Sequence, residues 1–500
     1  MTEPTSGRKE TTTKDLSKFF KLERTIHDLS AKTVIGIGLA AIFLSVVWLA
    51  THTLTAGIEN QAFIVAAGVI GGYMAMNIGA NDVANNVGPA FGAKSLTMVG
   101  ALIIAAIFET SGALIAGGDV VKTISKGIID PSLIPNTKVF MMLMMSALLA
   151  AALWINFATF FGAPVSTTHS IVGGVMGSGV AAAGASVVNW SVMSKIAASW
   201  VISPVLGGII AALFLAFIKN RVLYQKDTIA AAKKWVPIMV ALMAGVFAAY
   251  LSVKGLTKIW KPEPWMVAAI GAGFFAATYA IVNPLIAKKS KGMNNTKESI
   301  RGMFHIPLIC SAALLSFAHG ANDVANAVGP LAAIVNAAST GAMAAKVDIP
   351  AWVMFVGAAG ITIGLMLFGP KLIRTVGSKI TRMNPMRAYC VALSAAITVI
   401  VASALGLPVS STHIAVGAVF GVGFLREYHS SKGTHMGGYA TKTDRTPSKW
   451  DLLPIEEKTR RKILVRRQYL WSIIAAWLIT VPLSALFAAG IYIALKEFLI

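Results

Sequence analysis

The sequence predicts an all-α polytopic membrane protein with about 12–13 membrane segments, arranged as two inverted-topology repeats that contain broken or re-entrant helices. Three observations lead to this fold class: the composition, the length of the apolar stretches and two duplicated motifs. Of the 500 residues, 56% are hydrophobic and 13% are charged, whereas about 25% are charged in an ordinary soluble domain. The composition therefore argues against a soluble globular protein.

The apolar stretches are about twenty residues long, which is enough to cross a hydrocarbon layer roughly 30 Å thick. They are apolar on all sides, unlike the amphipathic surface helices of a soluble core. The clearest ones cover 34–54, 61–78, 96–116, 139–161, 196–218, 235–253, 265–287, 351–369, 388–406 and 470–495. Shorter or glycine-rich stretches near 165–188, 303–318 and 408–425 are expected at membrane depth as well.

The net charge of +22 does not indicate a nucleic-acid partner, because the basic residues lie beside the apolar stretches. Seven Lys and Arg residues fall in the polar N-terminal segment 1–33, and a second basic block fills 426–468. Such placement is typical of loops that stay in the cytoplasm, and the second block is also suited to anionic lipid headgroups. The first span is too long for a cleavable signal peptide, and Cys310 and Cys390 predict no disulfide framework.

Two motifs occur twice, in the same order. Residues 79–89 read GANDVANNVGP and residues 320–330 read GANDVANAVGP, at an offset of 241. Residues 162–177 read GAPVSTTHSIVGGVMG and residues 406–421 read GLPVSSTHIAVGAVFG, at an offset of 244. Because chance does not produce two long motifs at nearly the same spacing, the chain contains two copies of one unit.

The basic residues of matching loops predict that the two copies have opposite orientations. The loop 55–60 before the first copy has no Lys or Arg, whereas the loop 288–302 before the second has five. Likewise 181–194 has none, and its counterpart 426–468 is strongly basic. The positive-inside rule then predicts a cytoplasmic N-terminus and an outside C-terminus. The expected organisation is a polar cytoplasmic segment 1–33, an extra transmembrane helix 34–54, a first repeat 55–221, a linking segment with two helices 222–287 and a second repeat 288–500.

Each copy carries an aspartate among asparagines, Asp82 in the first and Asp323 in the second. A carboxylate at membrane depth costs several kcal/mol unless it is paired, protonated or bound to a cation. Carboxylate and amide oxygens together form a shell that suits Na⁺, or a site for a titrating proton. The alternative is helix capping, for which Asn and Asp are well suited. The expected cation-binding residues are Asn81, Asp82, Asn85, Glu109, Asn322, Asp323 and Asn326.

Each copy also carries a run of hydroxyl residues after a proline, Pro164 or Pro408. A proline that breaks a membrane helix leaves a new helix N-terminus, whose free N–H groups attract anions. The alternative is that the hydroxyls satisfy the backbone at a kink. The expected anion-binding residues are Asp82, Ser166, Thr167, Thr168, Asp323, Ser410, Ser411 and Thr412. His169 and His413, which follow the runs, fit hydrogen-bonded structural residues better than metal ligands.

Glu109 lies in an otherwise apolar span, and its counterpart in the second copy is Ile361. A role with a cation or proton is expected, and the alternative is a water-facing helix end. An anion beside carboxylates requires bound cations or protons, so the two kinds of motif together predict symport. Phosphate keeps one or two protons near neutral pH and can donate one to an aspartate, whereas sulfate has no proton to donate.

At these residues the sequence resembles the inorganic phosphate transporter (PiT) family. The duplicated GANDVAN motifs, GAPVSTTH and GLPVSSTH resemble that family's signatures, and FETSG around Glu109 resembles a further family segment. The resemblance covers roughly 60–425 and the final helix. It implies phosphate import coupled to Na⁺ or H⁺ at the midplane between inverted repeats, a homodimer, and a place in the cell membrane. It implies phosphate binding by the aspartates and hydroxyl runs, sodium binding by the asparagines, no transition metal and no cofactor beyond the coupling ion.

The sequence departs from the family at two places. Ala392 stands where animal members carry a Glu, and residues 1–54 precede the family's usual start. The main alternative is a sulfate or other oxyanion permease of the same fold, since fold does not fix cargo. A remote alternative is an intramembrane hydrolase that uses Ser166 or Ser410 with the histidine three residues later. Two equivalent copies disfavour it, because catalysis needs one asymmetric site, so an enzyme is not expected.

Overall fold

The structure is a computed structural model that describes residues 34–161, 165–255, 261–343, 349–375, 383–431 and 468–499. Within these ranges the regular structure is helical, apart from an isolated backbone bridge between Ile129 and Val188. The prediction of an all-α membrane protein is therefore confirmed. The N-terminal segment 1–33, Pro164 and most of the basic loop 426–468 lie outside the described residues.

The helices follow one another along the chain. They are α1 (Val34–Leu54), α2 (Gln61–Gly92), α3 (Met98–Ala116), α4 (Gly118–Lys126), α5 (Thr137–Phe160), α6 (Thr167–Ala183), α7 (Trp190–Ile218), α8 (Thr228–Lys254), α9 (Pro264–Lys289), α10 (Lys297–Met303), α11 (His305–Asp323), α12 (Ala325–Thr340), α13 (Ala351–Thr375), α14 (Pro385–Ala404), α15 (Ser411–Ser431) and α16 (Gln468–Leu499). Among the described residues, eleven spans are long and apolar enough to cross a membrane, with α11 and α12 forming one of them. Helices suit this environment because every backbone hydrogen bond is made inside the segment.

Polar residues fix where several of these helices begin. Asn136 accepts a hydrogen bond from the Val139 amide at the start of α5, and Asn384 accepts one from the Arg387 amide at the start of α14. Asp227 does the same for α8. Each cap satisfies a backbone donor that the first turn of a helix leaves free.

Two helix pairs form hairpins whose second arms begin inside the protein. Helices α5 and α6 pack together and are joined by 161–166, and α14 and α15 pack together and are joined by 405–410. The second arms begin at Thr167 and Ser411, and both first residues are buried. The predicted broken helices are therefore present, each with a new N-terminus inside the protein.

The two copies pack in a reciprocal way, with a helix of one against a helix of the other. Helix α2 lies along α13, and its counterpart α11 lies along α3. At both crossings a glycine touches backbone: a Cβ on Gly79 would lie 1.9 Å from the Ile361 carbonyl oxygen, and one on Gly320 would lie 2.0 Å from the Glu109 carbonyl oxygen. Glycine is required because any side chain would collide with the neighbouring helix.

The hairpins dock in the same reciprocal manner. Helix α6 packs along α16 of the other copy, and α15 packs along α7. A Cβ on Gly177 would lie 2.1 Å from the Ala485 carbonyl oxygen, and one on Gly421 would lie 1.9 Å from the Gly208 carbonyl oxygen. These contacts hold the second arm of each hairpin closely against a helix of the other copy.

Contacts at the ends of the helices define the two ends of the bundle. At one end, which we call the basic end, Ser95 Oγ lies 2.6 Å from His305 Nδ1 and the Thr228 amide donates to Asn295 Oδ1 at 3.0 Å. At the opposite end Lys254 Nζ lies 2.6 Å from Asp119 Oδ2. Helix α2 thus ends at the basic end, where α11 begins, so these matching helices run in opposite directions.

Candidate functional site

The four duplicated motifs meet at one place in the interior. Asp82 lies in α2, Asp323 ends α11, and the starts of α6 and α15 lie beside them. Both carboxylates are 1% exposed. Two buried negative charges so close to each other require hydrogen bonds and positive charge around them.

Asp82 is held by one hydroxyl from each hairpin. Thr167 Oγ1 donates to Asp82 Oδ2 at 3.0 Å, and Thr412 Oγ1 donates to Asp82 Oδ1 at 3.0 Å. Asn85 Nδ2 in turn donates to Thr412 Oγ1 at 2.7 Å. The first copy's carboxylate therefore depends on a residue of the second copy.

Asp323 has similar surroundings, but among the described residues it accepts a hydrogen bond from one hydroxyl, whereas Asp82 accepts from two. Ser411 Oγ donates to Asp323 Oδ2 at 3.1 Å. Asn326 Nδ2 donates to the Oγ1 atoms of Thr167 and Thr168, at 3.2 Å each. Asn326 thus joins the second copy to the hydroxyl run of the first, in the way that Asn85 joins the first copy to the second.

The other two asparagines support the hairpin tips. Asn81 Nδ2 donates to Thr159 Oγ1 at 2.8 Å, and Asn322 Nδ2 donates to Ser403 Oγ at 2.9 Å. The Val409 amide also donates to Asn322 Oδ1 at 3.2 Å. These residues lie beside the aspartates, but their amide groups are directed to the hairpins.

Ser166 and Ser410 occupy the N-cap positions of α6 and α15. Ser166 Oγ accepts from the His169 amide at 3.1 Å, and Ser410 Oγ accepts from the His413 amide at 3.4 Å. The two histidine rings lie 5.0 Å apart between centroids, and His169 also packs against Trp200 at 3.8 Å. The hydroxyls that contact the carboxylates are those of Thr167, Ser411 and Thr412, and the cap serines lie one layer behind them.

Glu109 does not form a separate site, because it is tied to residues that the repeated motifs do not reveal. Asn86 Nδ2 donates to Glu109 Oε1 at 2.8 Å. His319 is fully buried, with Nδ1 3.4 Å from Glu109 Oε2 and Nε2 2.8 Å from Asp323 Oδ2. Its Nε2 also lies 3.9 Å from Asp82 Oδ2. One imidazole therefore stands among three carboxylates.

Sequence reasoning missed His319 and Asn86 because neither is duplicated. At the matching offset the counterparts are Ile78 and Ala327, as Ile361 is for Glu109. A signal was present, since His319 is an ionisable residue in an apolar span directly before the second GANDVAN motif. The three unmatched polar residues form one connected group in the structure.

Several buried oxygen atoms at this site accept no hydrogen bond within the part of the chain that the structure describes. They are Asn81 Oδ1, Asn86 Oδ1, Asp323 Oδ1 and Asn326 Oδ1. A buried acceptor without a partner costs roughly 1–3 kcal/mol. Four such oxygens around the site fit a hard cation, which prefers carboxylate and carbonyl ligands.

Comparisons with known proteins agree on one family. The family model described as the phosphate transporter family matches residues 78–488. A proposed phosphate permease of Helicobacter pylori is 45% identical over 96% of this chain and 98% of its own. Another from Pyrococcus furiosus is 40% identical over 72% of this chain and 86% of its own. A solved structure described as the sodium-dependent phosphate transporter is 36% identical, with a TM-score of 0.77, and covers 88% of this chain and 100% of its own.

Proposed function

The chain belongs to the phosphate transporter family, and from that premise we propose that it imports inorganic phosphate by symport with Na⁺. It is a multi-pass membrane transporter and not an enzyme. The proposed binding place is the midplane of the membrane, between two inverted repeats. The proposal rests on the arrangement in which hydroxyls from both hairpins meet the same aspartate.

The phosphate part of the proposal follows from the donors around Asp82. Thr167 and Thr412 each offer a hydroxyl at the start of a helix, where backbone N–H groups also lack partners. Two helix N-termini favour an anion electrostatically. The carboxylate beside them accepts a proton that phosphate carries and sulfate lacks, which supports phosphate over other oxyanions.

The cation part follows from the unpartnered oxygens and from charge. Asp82, Asp323 and Glu109 together place three carboxylates around one imidazole, so an added anion needs compensating positive charge. Na⁺ suits carboxylate and amide oxygens. The solved relative described as sodium-dependent supports Na⁺ over H⁺.

The site residues take different roles in this proposal. Thr167, Thr168, Ser411 and Thr412 contact phosphate together with the aspartates. Asn326, whose Oδ1 accepts no hydrogen bond among the described residues, offers that oxygen to a cation together with Asn85. Asn81, Asn322, Ser166 and Ser410 act as positioning residues for the hairpins, since their polar atoms contact hairpin backbone and hydroxyls. Glu109 influences transport through its contact with the His319 ring.

Uptake of radiolabelled phosphate into proteoliposomes tests the function. The expected result is uptake that an inward Na⁺ gradient drives, that an inward pH gradient alone does not drive, and that excess sulfate does not inhibit. Uptake driven by the pH gradient without Na⁺ would replace Na⁺ with H⁺ in the proposal. Strong inhibition by sulfate would move the assignment to a broader oxyanion permease.

We also propose that the N-terminus is cytoplasmic, that the C-terminus is outside, and that two copies form a homodimer in the cell membrane. The loop charges support this orientation, because the basic end carries Lys288, Lys289 and Lys291. In the same proposal the repeats are 55–221 and 288–500, and α8 and α9 form the link between them.

A further inference from the structure

A second group of charges, which we call the basic cluster, lies at the basic end of the bundle, away from the transport site. It consists of Lys219, Arg301, Arg387 and Arg426, from four different elements. Lys219 follows the end of α7, Arg387 lies in the first turn of α14, and Arg426 lies near the end of α15. Residues so far apart in sequence share this position because α7 packs against both α14 and α15.

The packing explains why these side chains converge. A Cβ on Gly417 would lie 2.2 Å from the Pro204 carbonyl oxygen, and one on Gly421 would lie 1.9 Å from the Gly208 carbonyl oxygen. Helices α7 and α15 therefore run in the same direction in close contact. Their ends carry Lys219 and Arg426 to the same side of the molecule.

The four side chains lie near enough for the charge of each to reach at least two of the others. The charges of Arg387 and Arg426 reach Lys219, and the charge of Arg301 reaches both arginines. Like charges at such proximity repel, and the repulsion is larger where water is excluded. The cluster is therefore costly to the folded protein unless an anion lies among its members.

Lys219 is the member that a topology signal does not explain. Basic residues that only mark the cytoplasmic side can stay in water, as Lys288 and Lys291 do. Lys219 is 3% exposed, and within the described residues no hydrogen bond or ion pair of its ammonium group is found. It lies at the start of a π-helical turn, Lys219–Leu223, a distortion that is frequent at functional sites.

Within the described residues, the contacts of the cluster with other side chains compensate little of its positive charge. Glu298 Oε1 contacts Arg301 at 2.8 Å, but its side chain is 80% exposed, so water screens the pair. Arg387 Nε donates to Asn384 Oδ1, a neutral group. No ion pair of Arg426 is found among the described residues.

We propose that the basic cluster binds a phosphate group, with the buried Lys219 on the inner side of the group and the more exposed Arg301 on the outer side. Guanidinium groups match phosphate oxygens with paired donors, and a lysine adds a compact charge. The group can come from free phosphate at this face or from the headgroup of an anionic phospholipid. This site is distinct from the transport site around Asp82, and it does not depend on the transport proposal.

The test uses the double variant K219Q/R426Q, with K288Q/K291Q as the matched control that removes two positive charges from exposed positions at the same end. In the first arm, radiolabelled phosphate binds to the protein in phosphatidylcholine nanodiscs. If free phosphate is the ligand, wild type and control bind one more phosphate per chain than K219Q/R426Q. In the second arm, nanodiscs contain phosphatidylglycerol. If a lipid headgroup is the ligand, the lipid raises the melting temperature of wild type and control but not that of K219Q/R426Q.

The expected loss is about tenfold or more in apparent affinity, because two charge-assisted contacts are removed. If K219Q/R426Q does not give folded protein, the half-buried R426Q alone takes its place in both arms. The proposal is overturned if the cluster variant equals K288Q/K291Q in both arms.

Discussion

At the scale of single residues, the site depends on Asp82, which receives hydroxyls from opposite copies of the repeat. Thr167 and Thr412 hold its two oxygens at 3.0 Å each. Removing the charge from a buried, hydrogen-bonded carboxylate leaves its donors without acceptors of equal strength. A cation that balances the anion also loses its strongest ligand.

The first prediction concerns the two aspartates. Asp82→Asn and Asp323→Asn keep the side-chain volume and should reduce Na⁺-driven phosphate uptake in proteoliposomes to background. Asp130→Asn is the matched control, because Asp130 is an exposed carboxylate whose hydrogen bonds among the described residues are with Ser132, and it should leave uptake unchanged. Wild-type uptake by both buried variants would show that the carboxylates carry no coupling.

A second prediction concerns Glu109 and His319. If Glu109 acts through the imidazole, Glu109→Gln and His319→Ala should each lower uptake, and the double variant should be no worse than the poorer single one. Residues that act as a unit are strongly non-additive, whereas independent sites add within about 0.3–0.5 kcal/mol.

The uptake of the double variant should be measured over a range of Na⁺ concentrations. His319→Gln, which keeps a hydrogen-bond donor, should recover part of the uptake lost in His319→Ala. Additive losses, or no difference between the two His319 variants, would mean that Glu109 serves the cation independently of the ring.

At the scale of helices, the reciprocal glycine contacts set the distance between the copies. Gly320 presses against the Glu109 carbonyl oxygen, and Gly79 presses against that of Ile361. In both cases the neighbour is backbone, which cannot rotate away as a side chain can. The same crossings hold Glu109 and Asp323 at a fixed separation.

A third prediction follows from this contact. In Gly320→Ala the new Cβ would lie 2.0 Å from the Glu109 carbonyl oxygen, so α3 and α11 must separate, at a cost of about 1–3 kcal/mol or more. The melting temperature in detergent should fall, and uptake should fall with it. Gly273→Ala in α9, where the new Cβ would have no atom of the described residues within 4 Å, should change neither. Equal melting temperatures for the two variants would contradict the close approach.

The broken helices were predictable from sequence, but the partners of their residues were not. A proline followed by hydroxyl residues indicates a new helix start, and Ser166 and Ser410 do cap α6 and α15. The sequence pattern cannot separate a capping hydroxyl from one that faces a ligand, since both need the same residue type. Thr167 and Ser411 each follow a cap serine by one residue. Because a helix turns by 100° per residue, their side chains point in a different direction from the caps and contact the aspartates.

At the scale of the whole molecule, composition and repeats predict the class of fold. They do not predict which helix of one copy packs against which helix of the other. The duplication shows that two similar units exist, and the loop charges predict how each crosses the membrane. Neither says that α2 packs on α13 instead of α3, because that choice depends on glycines that are far apart in sequence. The role of His319 was also missed, because its contact with Glu109 joins the two copies and cannot be read from the sequence around either residue.

A fourth prediction concerns orientation. Glu59 and Lys291 lie in exposed loops at opposite ends of the bundle, so Glu59→Cys should react with an impermeant maleimide outside intact cells. Lys291→Cys should react only after the membrane is opened. The parent chain is the control, because Cys310 is half-buried and Cys390 is buried. Labelling of Lys291→Cys in intact cells would reverse the proposed orientation.

The hydrogen bond between Thr412 and Asp82 joins residues 330 positions apart, which has a consequence for biosynthesis. When the first copy leaves the ribosome, the segments that will cover Asp82 and Gly79 have not been made. The first copy therefore enters the membrane before the second copy can cover its polar motif. Until then, water, a bound proton or an insertion factor must stabilise that motif. Two half-chains made separately in one cell should then assemble into an active transporter, whereas either half alone should be degraded.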